Sequence, residues 1–246
     1  MTVAIQDNQA DRMIYYVLAY FMAAAFLFPE SLYYRQETTL EADGFVVFRT
    51  LSGSPSGSIH QATLQRLPPN YEFLDYEYTI RGTSLSTWHR DVTSGQSYYQ
   101  TKYPTYTAIH YLYDGAHLSV APGSHRTFPF TWTGPMHIDG GNGTVVLFNA
   151  DLLHAGRPNL IGGARHAIQY KIAHSDDLAA LRHLDRTNIT KVGGAEDDIP
   201  FWVHKMSYHW AWLTSTVLAS LLQQRYAEGS FAGRLQTLIP IQFYNR

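Results

Sequence analysis

Short apolar runs separated by turn-forming residues dominate the middle of the chain. The runs include "DGFVVFRTL", "YTAIHYLYDG", "AHLSVAPGSH", "GTVVLFNAD" and "HAIQYKIAH", with Gly, Pro, Asn and Asp between them. β-Branched and aromatic residues in such runs favour strands, and several short strands joined by turns are typical of a sandwich or barrel. The pattern therefore predicts a mainly β core over residues 41–175.

Helix-forming sequence flanks this core on both sides. Residues 1–40 are predicted to form an N-terminal helical segment, and residues 176–246 a C-terminal helical extension that begins with "DDLAALRHLD". The sequence shows no internal repeat and no clear domain boundary, so residues 1–246 are expected to form a single domain. The extension could cap the mouth of the core or offer a surface for a homodimer.

Two apolar segments resemble membrane spans at first sight. Residues 13–28, "MIYYVLAYFMAAAFLF", are fewer than the roughly 20 residues that a bilayer requires, and Pro29 ends the run. Residues 201–222 contain His204 and Lys205, which a span would bury at a cost. Both segments are predicted to be buried or interface helices, with no membrane span and a cytoplasmic location.

Composition limits the kinds of partner and of metal site. The chain has 18 Lys and Arg against 20 Asp and Glu, a formal net charge of −2, and no run of like charge. This balance argues against a nucleic-acid surface held by counterion release. Cysteine is absent, so any metal must be held by nitrogen and oxygen ligands.

The tripeptide His89-Arg90-Asp91, in "STWHRDVTSGQSYYQ", can be read in two ways. It can open the catalytic loop of a protein kinase, which has an Asn five residues after the Asp. Here that position is Gln96, and no D-F-G, A-P-E or glycine-loop motif accompanies it. The kinase interpretation is therefore excluded.

The second interpretation is a metal site. On a strand, His89 and Asp91 leave the same face, about 6.5–7 Å apart at Cα, while Arg90 points the other way. His154, after the apolar run "GTVVLFNADLL", is the candidate third ligand. Two histidines and one carboxylate form the facial triad of non-haem Fe(II) oxygenases. The alternative is that His89 and Asp91 only bond each other or a turn, and that His154 is structural.

Arg165 lies eleven residues beyond His154 and opens the apolar run "RHAIQYKIAH". Its planar guanidinium can pair with a carboxylate through two hydrogen bonds. A dicarboxylic cosubstrate that chelates iron at one end needs such a cation at the other. Arg157 is a rival for this role, and a surface salt bridge is the simpler alternative for Arg165.

Together these motifs resemble the phytanoyl-CoA dioxygenase-like branch of the Fe(II)/2-oxoglutarate-dependent oxygenases. The resemblance covers roughly residues 40–174 and rests on "LEADGFVVFRTL", "WHRD", "AHLSVAPGSHR" and "GTVVLFNADLLHAGRPNLIGGARHAIQYKIAH". It implies a double-stranded β-helix, a jelly-roll or cupin-like core. It also implies that the "PGSH" box, Pro122 to His125, shapes the barrel rim, with His125 structural.

Carried over by position, the resemblance implies a set of site residues. His89, Asp91 and His154 would bind Fe(II), and Arg165 would bind the distal carboxylate of 2-oxoglutarate. Tyr106 and Thr107 fall where the family has a strand lining the cosubstrate pocket.

The implied activity is oxidation of an unactivated C–H bond, with hydroxylation as the expected outcome. O₂ is consumed, and 2-oxoglutarate is decarboxylated to succinate and CO₂. The expected substrate is a small molecule, a natural-product or amino-acid-like metabolite, for which Tyr98, Tyr99, Tyr103 and Tyr106 would supply aromatic walls. Three alternatives stay open: a peptidyl or protein hydroxylase, a cupin-type metal barrel that does not use 2-oxoglutarate, and a barrel that binds no iron.

Overall fold

The computed structural model of the chain describes most of the predicted core. The described residues are 37–50, 56–82, 86, 88–91, 93, 101–127, 133–157, 165–193, 204 and 208. The predicted N-terminal helical segment lies almost entirely outside this range, as does the apolar stretch 13–28. Of the apolar stretch 201–222, only His204 and Tyr208 are described, both as helical.

Nine of the twelve elements among the described residues are strands, and two of the other three are 3₁₀ helices. In chain order the elements are β1 (Phe45–Arg49), α1 (Ser56–Leu64), β2 (Tyr71–Gly82), β3 (Tyr106–Tyr111), β4 (Gly115–Val120), a 3₁₀ helix (Ser124–Arg126), β5 (Met136–Gly140), β6 (Thr144–Asn149), β7 (His154–Gly156), β8 (Arg165–His174), a 3₁₀ helix (Ser175–Leu184) and β9 (Thr187–Gly193).

The strands form two sheets between which the chain passes repeatedly. The large sheet has the order β1-β6-β3-β8-β2-β9, and the small sheet has the order β5-β4-β7. From β3 onward the chain runs from the large sheet to β4 and β5 of the small one, back to β6, across to β7 and back to β8. All of these neighbours are antiparallel. This path is that of a double-stranded β-helix, so the predicted fold class is confirmed.

Strand β6 shows why an almost wholly apolar run becomes a central strand. Its side chains alternate: Val146 and Phe148 lie in the cluster between the sheets, while Val145 and Leu147 lie in the cluster on the outer face. Ile59 of α1 belongs to that outer cluster, so the helix covers the second face of the large sheet. Burying each of these side chains contributes about 1.5–3 kcal/mol.

The chain after β8 begins with a tight 3₁₀ helix that is tied to the core. The Asp176 amide donates to His174 Nδ1 at 3.2 Å, and the Asp177 carboxylate accepts from the amides of Lys102 and Tyr103 at 2.8 and 2.9 Å. Residues 187–193, placed by the sequence in the helical extension, instead form β9, which pairs in parallel with β2. Pairing with an exposed edge supplies the backbone hydrogen bonds that this polar stretch needs.

No helix among the described residues is both long and apolar enough to cross a bilayer.

Candidate metal centre

The segment that carries His89 and Asp91 continues the small sheet. His89 forms a bridge with His154: the His89 amide donates to the His154 carbonyl at 2.9 Å, and the His154 amide returns the bond at 3.0 Å. The Asp91 amide donates to the Ala150 carbonyl at 3.0 Å. The backbone thus holds this segment against the turn between β6 and β7, which places all three predicted metal ligands together.

His89, Asp91 and His154 form a compact cluster of ligand atoms. One nitrogen or carboxylate oxygen from each lies within 4.8 Å of the others. His154 Nε2 is 3.8 Å from Asp91 Oδ1, and the two imidazole rings are 4.4 Å apart between centroids. Asp91 and His154 are buried, whereas His89 is partly exposed. Two imidazoles and a carboxylate at this spacing fit a first-row divalent metal.

The backbone selects the tautomer of His154. Its Nδ1 lies 2.9 Å from the Leu152 carbonyl, and because a carbonyl only accepts, Nδ1 carries the proton. In the neutral ring the lone pair is then on Nε2, the atom that faces Asp91. Burial lowers the pKa of His154 to about 3, and the neighbouring His89 adds to this shift. At neutral pH His154 is therefore ready to bind a metal without first losing a proton.

Asp91 is surrounded by three donors, of which the sequence analysis named only Thr107, as a residue of the cosubstrate pocket. Lys171 Nζ lies 2.6 Å from Asp91 Oδ2, the Thr107 hydroxyl donates to the same oxygen, and Gln169 Nε2 lies 3.4 Å from Oδ1. Burial raises the pKa of Asp91, but the Lys171 ammonium and the two imidazoles outweigh it, so the pKa lies below its ordinary value. The carboxyl is therefore ionised, as a metal ligand must be.

Strand parity was the signal that could have revealed Lys171. Arg165, Gln169 and Lys171 are separated by even numbers of residues on β8, so their side chains leave the same face. Lys171 stands in the apolar run "RHAIQYKIAH". It is an even number of residues from Arg165, which was already assigned to the site, so the spacing predicts that Lys171 also faces the interior. Lys171 is fully buried.

Arg90 points away from the cluster, as predicted, and anchors it from behind. Its guanidinium donates to the carbonyls of Ser124 and Thr127, both at 2.9 Å, and to that of Asp151. Burial lowers the pKa of Arg90 to about 10, with Asp151 opposing the shift, so the side chain stays charged. It ties the ligand segment to the "PGSH" turn and to the residues that precede His154.

The "PGSH" box forms the turn that the sequence predicted. Gly123 has φ +77°, a left-handed conformation that favours glycine. Ser124 Oγ accepts from the Leu153 amide at 2.8 Å, and His125 Nε2 lies 3.1 Å from the Glu41 carbonyl. His125 therefore makes structural contacts at the rim.

Arg165 is buried at the start of β8, inside the barrel. Its guanidinium donates to the Arg157 carbonyl, and its charge opposes the rise in pKa that burial causes at Tyr111 and Tyr113. Gln169, which contacts Asp91, is four residues further along the same face, roughly 13 Å at Cα. The rival Arg157 pairs instead with Asp139, whose side chain is largely exposed.

Tyr106 and Thr107, both predicted to line the cosubstrate pocket, lie on opposite faces of β3. Thr107 faces the interior and contacts Asp91. Tyr106 faces the outer cluster, where its ring lies 5.2 Å from that of Tyr71. The structure does not bring Tyr106 to the ligand cluster, because consecutive strand residues alternate in direction.

The prediction that tyrosines form aromatic walls around the substrate is also corrected, for Tyr103 and Tyr106. The Tyr103 ring packs 3.8 Å from the His174 ring, beside the outer cluster that contains Tyr106. Neither tyrosine borders the metal ligands. Tyr98 and Tyr99 lie outside the described residues.

Comparison with known proteins gives structural likeness only. No protein-family model matches the sequence, and no curated protein matches it. HygX from Streptomyces hygroscopicus, solved with nickel and 2-oxoglutarate bound, is similar at 17% identity and a TM-score of 0.39 over 55% of this chain and 84% of HygX. AviO1 from Streptomyces viridochromogenes Tue57 is similar at 14% identity and a TM-score of 0.37, over 55% of this chain and 91% of AviO1. SnoN, a non-haem α-ketoglutarate-dependent epimerase from nogalamycin biosynthesis, is similar at 13% identity and a TM-score of 0.42, over 64% and 83%.

Proposed function

We propose that the protein is a non-haem Fe(II)/2-oxoglutarate-dependent oxygenase that oxidises an unactivated C–H bond of a small molecule. The observation that carries the proposal is the cluster of His89, Asp91 and His154, whose ligand atoms lie within 4.8 Å of one another and of which Asp91 and His154 are buried. When bound there, Fe(II) would couple decarboxylation of 2-oxoglutarate by O₂, giving succinate and CO₂, to oxidation of the substrate.

The chain's own residues prepare this cluster for a divalent cation. His154 presents an unprotonated Nε2 because the Leu152 carbonyl holds its Nδ1 proton. Asp91 contributes one negative charge, kept ionised by Lys171. Two imidazoles and one carboxylate leave coordination positions open for small ligands, as oxygenase chemistry requires.

Arg165 would bind the distal carboxylate of 2-oxoglutarate. It is a buried cation on the inward face of β8, the face that also carries Gln169 beside Asp91. Tyr111 and Tyr113, whose pKa values it influences, place two phenols near its guanidinium. A guanidinium in a low-dielectric interior favours a carboxylate partner strongly and holds it in a fixed orientation.

The substrate class is proposed from the sequence. The chain has no basic run for a nucleic acid or a coenzyme-A ester, so a natural-product or amino-acid-like metabolite is the proposed substrate. Hydroxylation is the proposed outcome, because hydroxylation needs no further group beyond the oxidising centre. A peptide side chain is the second candidate substrate.

Release of succinate from 2-oxoglutarate, with Fe(II) and O₂ present, tests the proposal without a known substrate. The wild type is expected to release succinate, faster when the true substrate is added, and Asp91→Ala is expected to release none. Arg165→Met is expected to raise the KM for 2-oxoglutarate by roughly 10- to 100-fold. This factor corresponds to the binding free energy, about 1.5–3 kcal/mol, that a hydrogen bond to a charged group contributes. Arg81→Met, at an exposed arginine on the adjacent strand β2, is the matched control and should behave as wild type.

Two results would contradict the proposal in different ways. Fe(II) binding without 2-oxoglutarate turnover, unchanged by Arg165→Met, would indicate a cupin-type metal barrel. Absence of Fe(II) binding in the wild type would end the oxygenase interpretation.

A further inference from the structure

Lys171 is a lysine in the interior of the barrel, and so far its one role in the proposed reaction is to keep Asp91 ionised. It is 0% exposed, as is Asp91. Its Nζ lies 2.6 Å from Asp91 Oδ2, 3.0 Å from Thr107 Oγ1 and 5.9 Å from the centre of the Tyr76 ring. Burying an ammonium costs several kcal/mol unless it is paired and hydrogen-bonded, so these contacts account for its presence in the core.

The contacts form a closed ring of three side chains. Lys171 donates to Thr107 Oγ1 and to Asp91 Oδ2, and the Thr107 hydroxyl donates to that same Oδ2. A carboxylate oxygen has about two lone-pair directions, and both of those on Oδ2 are therefore used by donors on the side of β3 and β8.

The other carboxylate oxygen has a different environment. Asp91 Oδ1 faces the His154 ring, with Nε2 at 3.8 Å. Gln169 Nε2 lies at long distances from both oxygens, 3.4 Å from Oδ1 and 3.5 Å from Oδ2, so it does not distinguish them. Of the two oxygens, Oδ1 is thus the one available to a cation that His154 also binds. The asymmetry comes from Lys171 and Thr107.

We propose that Lys171 is a positioning residue that restricts Asp91 to binding the metal through a single oxygen. The inference rests on the proposed metal site. Around an octahedral ion, two imidazoles and one carboxylate oxygen leave one more open position than two imidazoles and both carboxylate oxygens would. A chelating cosubstrate fills two positions, so the extra position is the one that O₂ needs.

Removing the charge of Lys171 is expected to have different effects on how Asp91 binds the metal and on how tightly the metal is bound. The Lys171 ammonium repels a cation bound at Asp91, and the bound cation itself replaces the ammonium as the charge that keeps Asp91 ionised. Removal of Lys171 is therefore not expected to weaken metal binding electrostatically. Its removal does free Oδ2 to become a second metal ligand. A residue that only filled the core would give the opposite pattern, with lower stability, weaker metal binding and an unchanged metal environment.

The test is water-proton relaxation of the Mn(II)-loaded protein, which reports how many exchangeable waters the metal holds. Lys171→Met keeps the length of the side chain and removes its charge. The expected result is Mn(II) affinity equal to or higher than that of wild type, with a relaxivity lower by about one third, since one of the open positions is lost. With 2-oxoglutarate added, the wild type should retain one exchangeable water and the variant essentially none.

Lys102→Met is the matched control, because Lys102 also pairs with an aspartate, Asp176 at 3.1 Å, but on the surface. Its relaxivity should equal that of wild type. Thr107→Val removes the other Oδ2 donor while leaving Lys171 in place, and should lower the relaxivity in the same direction even if Lys171→Met does not fold.

The possible failures are distinguishable. Full wild-type relaxivity in a folded Lys171→Met, or in Thr107→Val where Lys171→Met does not fold, would overturn the positioning role. Absence of Mn(II) binding in the wild type would overturn the metal site itself.

Discussion

At the scale of residues, the candidate site depends on side chains that hold other side chains. Lys171 and Thr107 fix one oxygen of Asp91, and the Leu152 carbonyl fixes the tautomer of His154. Arg90 fixes the backbone, because its guanidinium donates hydrogen bonds to three carbonyls on the side away from the cluster. The metal ligands are thus held in place before any metal arrives, which reduces the cost of ordering them on binding.

Arg90→Met is expected to lower the free energy of unfolding by about 2–4 kcal/mol, because buried carbonyls lose a charged donor. Arg126→Met is the control: Arg126 is exposed and donates to one carbonyl, that of Ala42 at 2.9 Å. Its effect should stay within about 0.5 kcal/mol. Urea unfolding of the two variants gives the comparison, and equal stability of the two would contradict the anchoring role of Arg90.

At the scale of elements, the large sheet is extended at both edges beyond the strands that enclose the site. β1 pairs with β6 at one edge, and β9 pairs with β2 at the other. β2 is thereby kept from being an edge strand, and its other neighbour, β8, carries Arg165, Gln169 and Lys171. β9 is therefore expected to stabilise the site indirectly, by holding β2 against β8.

Gly82→Ala tests this pairing. Gly82 has φ +101°, and a Cβ there would lie 2.0 Å from the Gly193 carbonyl oxygen of β9. The expected cost is about 1–3 kcal/mol, from backbone strain and the clash together. Amide exchange of residues 187–193 should accelerate at the same time, because β9 would separate from β2.

Gly57→Ala provides the control for Gly82→Ala. Gly57 lies in α1, and a Cβ there would meet nothing within 4 Å. This change should leave the stability unchanged or raise it by up to about 1 kcal/mol, since alanine favours a helix. If Gly82→Ala were as stable as Gly57→Ala, the close β2–β9 contact would be wrong.

At the scale of the whole molecule, a line of polar residues crosses an otherwise apolar interior. The inner cluster contains Phe45, Ile109, Val146 and Phe148, among others, while one face of β8 carries Arg165, Gln169 and Lys171. Low-dielectric walls strengthen each charge interaction along this line. The fold thus supplies both the shielding and the charges that the proposed chemistry uses.

Much of this arrangement could be predicted from the sequence because it depends on local periodicity. The alternation in runs such as "GTVVLFNAD" indicated strands, and the spacing of His89 and Asp91 indicated a shared face. Tyr106 shows where periodicity was not applied strictly enough: neighbours on one strand cannot both face the interior, so Tyr106 and Thr107 could not both line a pocket.

The remaining features depend on which strands pair, which local pattern does not encode. The contact between Lys171 and Asp91 joins residues 80 apart in the chain (171 − 91). It depends on the bond from the Asp91 amide to Ala150 after β6, and on the pairing of β6 with β3 and of β3 with β8. β9 is polar and alternating, so only the free edge of β2 makes it a strand.

The central claim is that His89, Asp91 and His154 bind Fe(II) and, with it, 2-oxoglutarate. The most direct measurement is an anaerobic titration of the purified protein with Fe(II) and then 2-oxoglutarate, followed by visible absorption. We predict that a charge-transfer band of the chelate appears in the wild type at one equivalent of each and is lost in Asp91→Ala. Binding of Fe(II) without the band would contradict the assignment of the cosubstrate and of Arg165, and no binding of Fe(II) would contradict the metal centre.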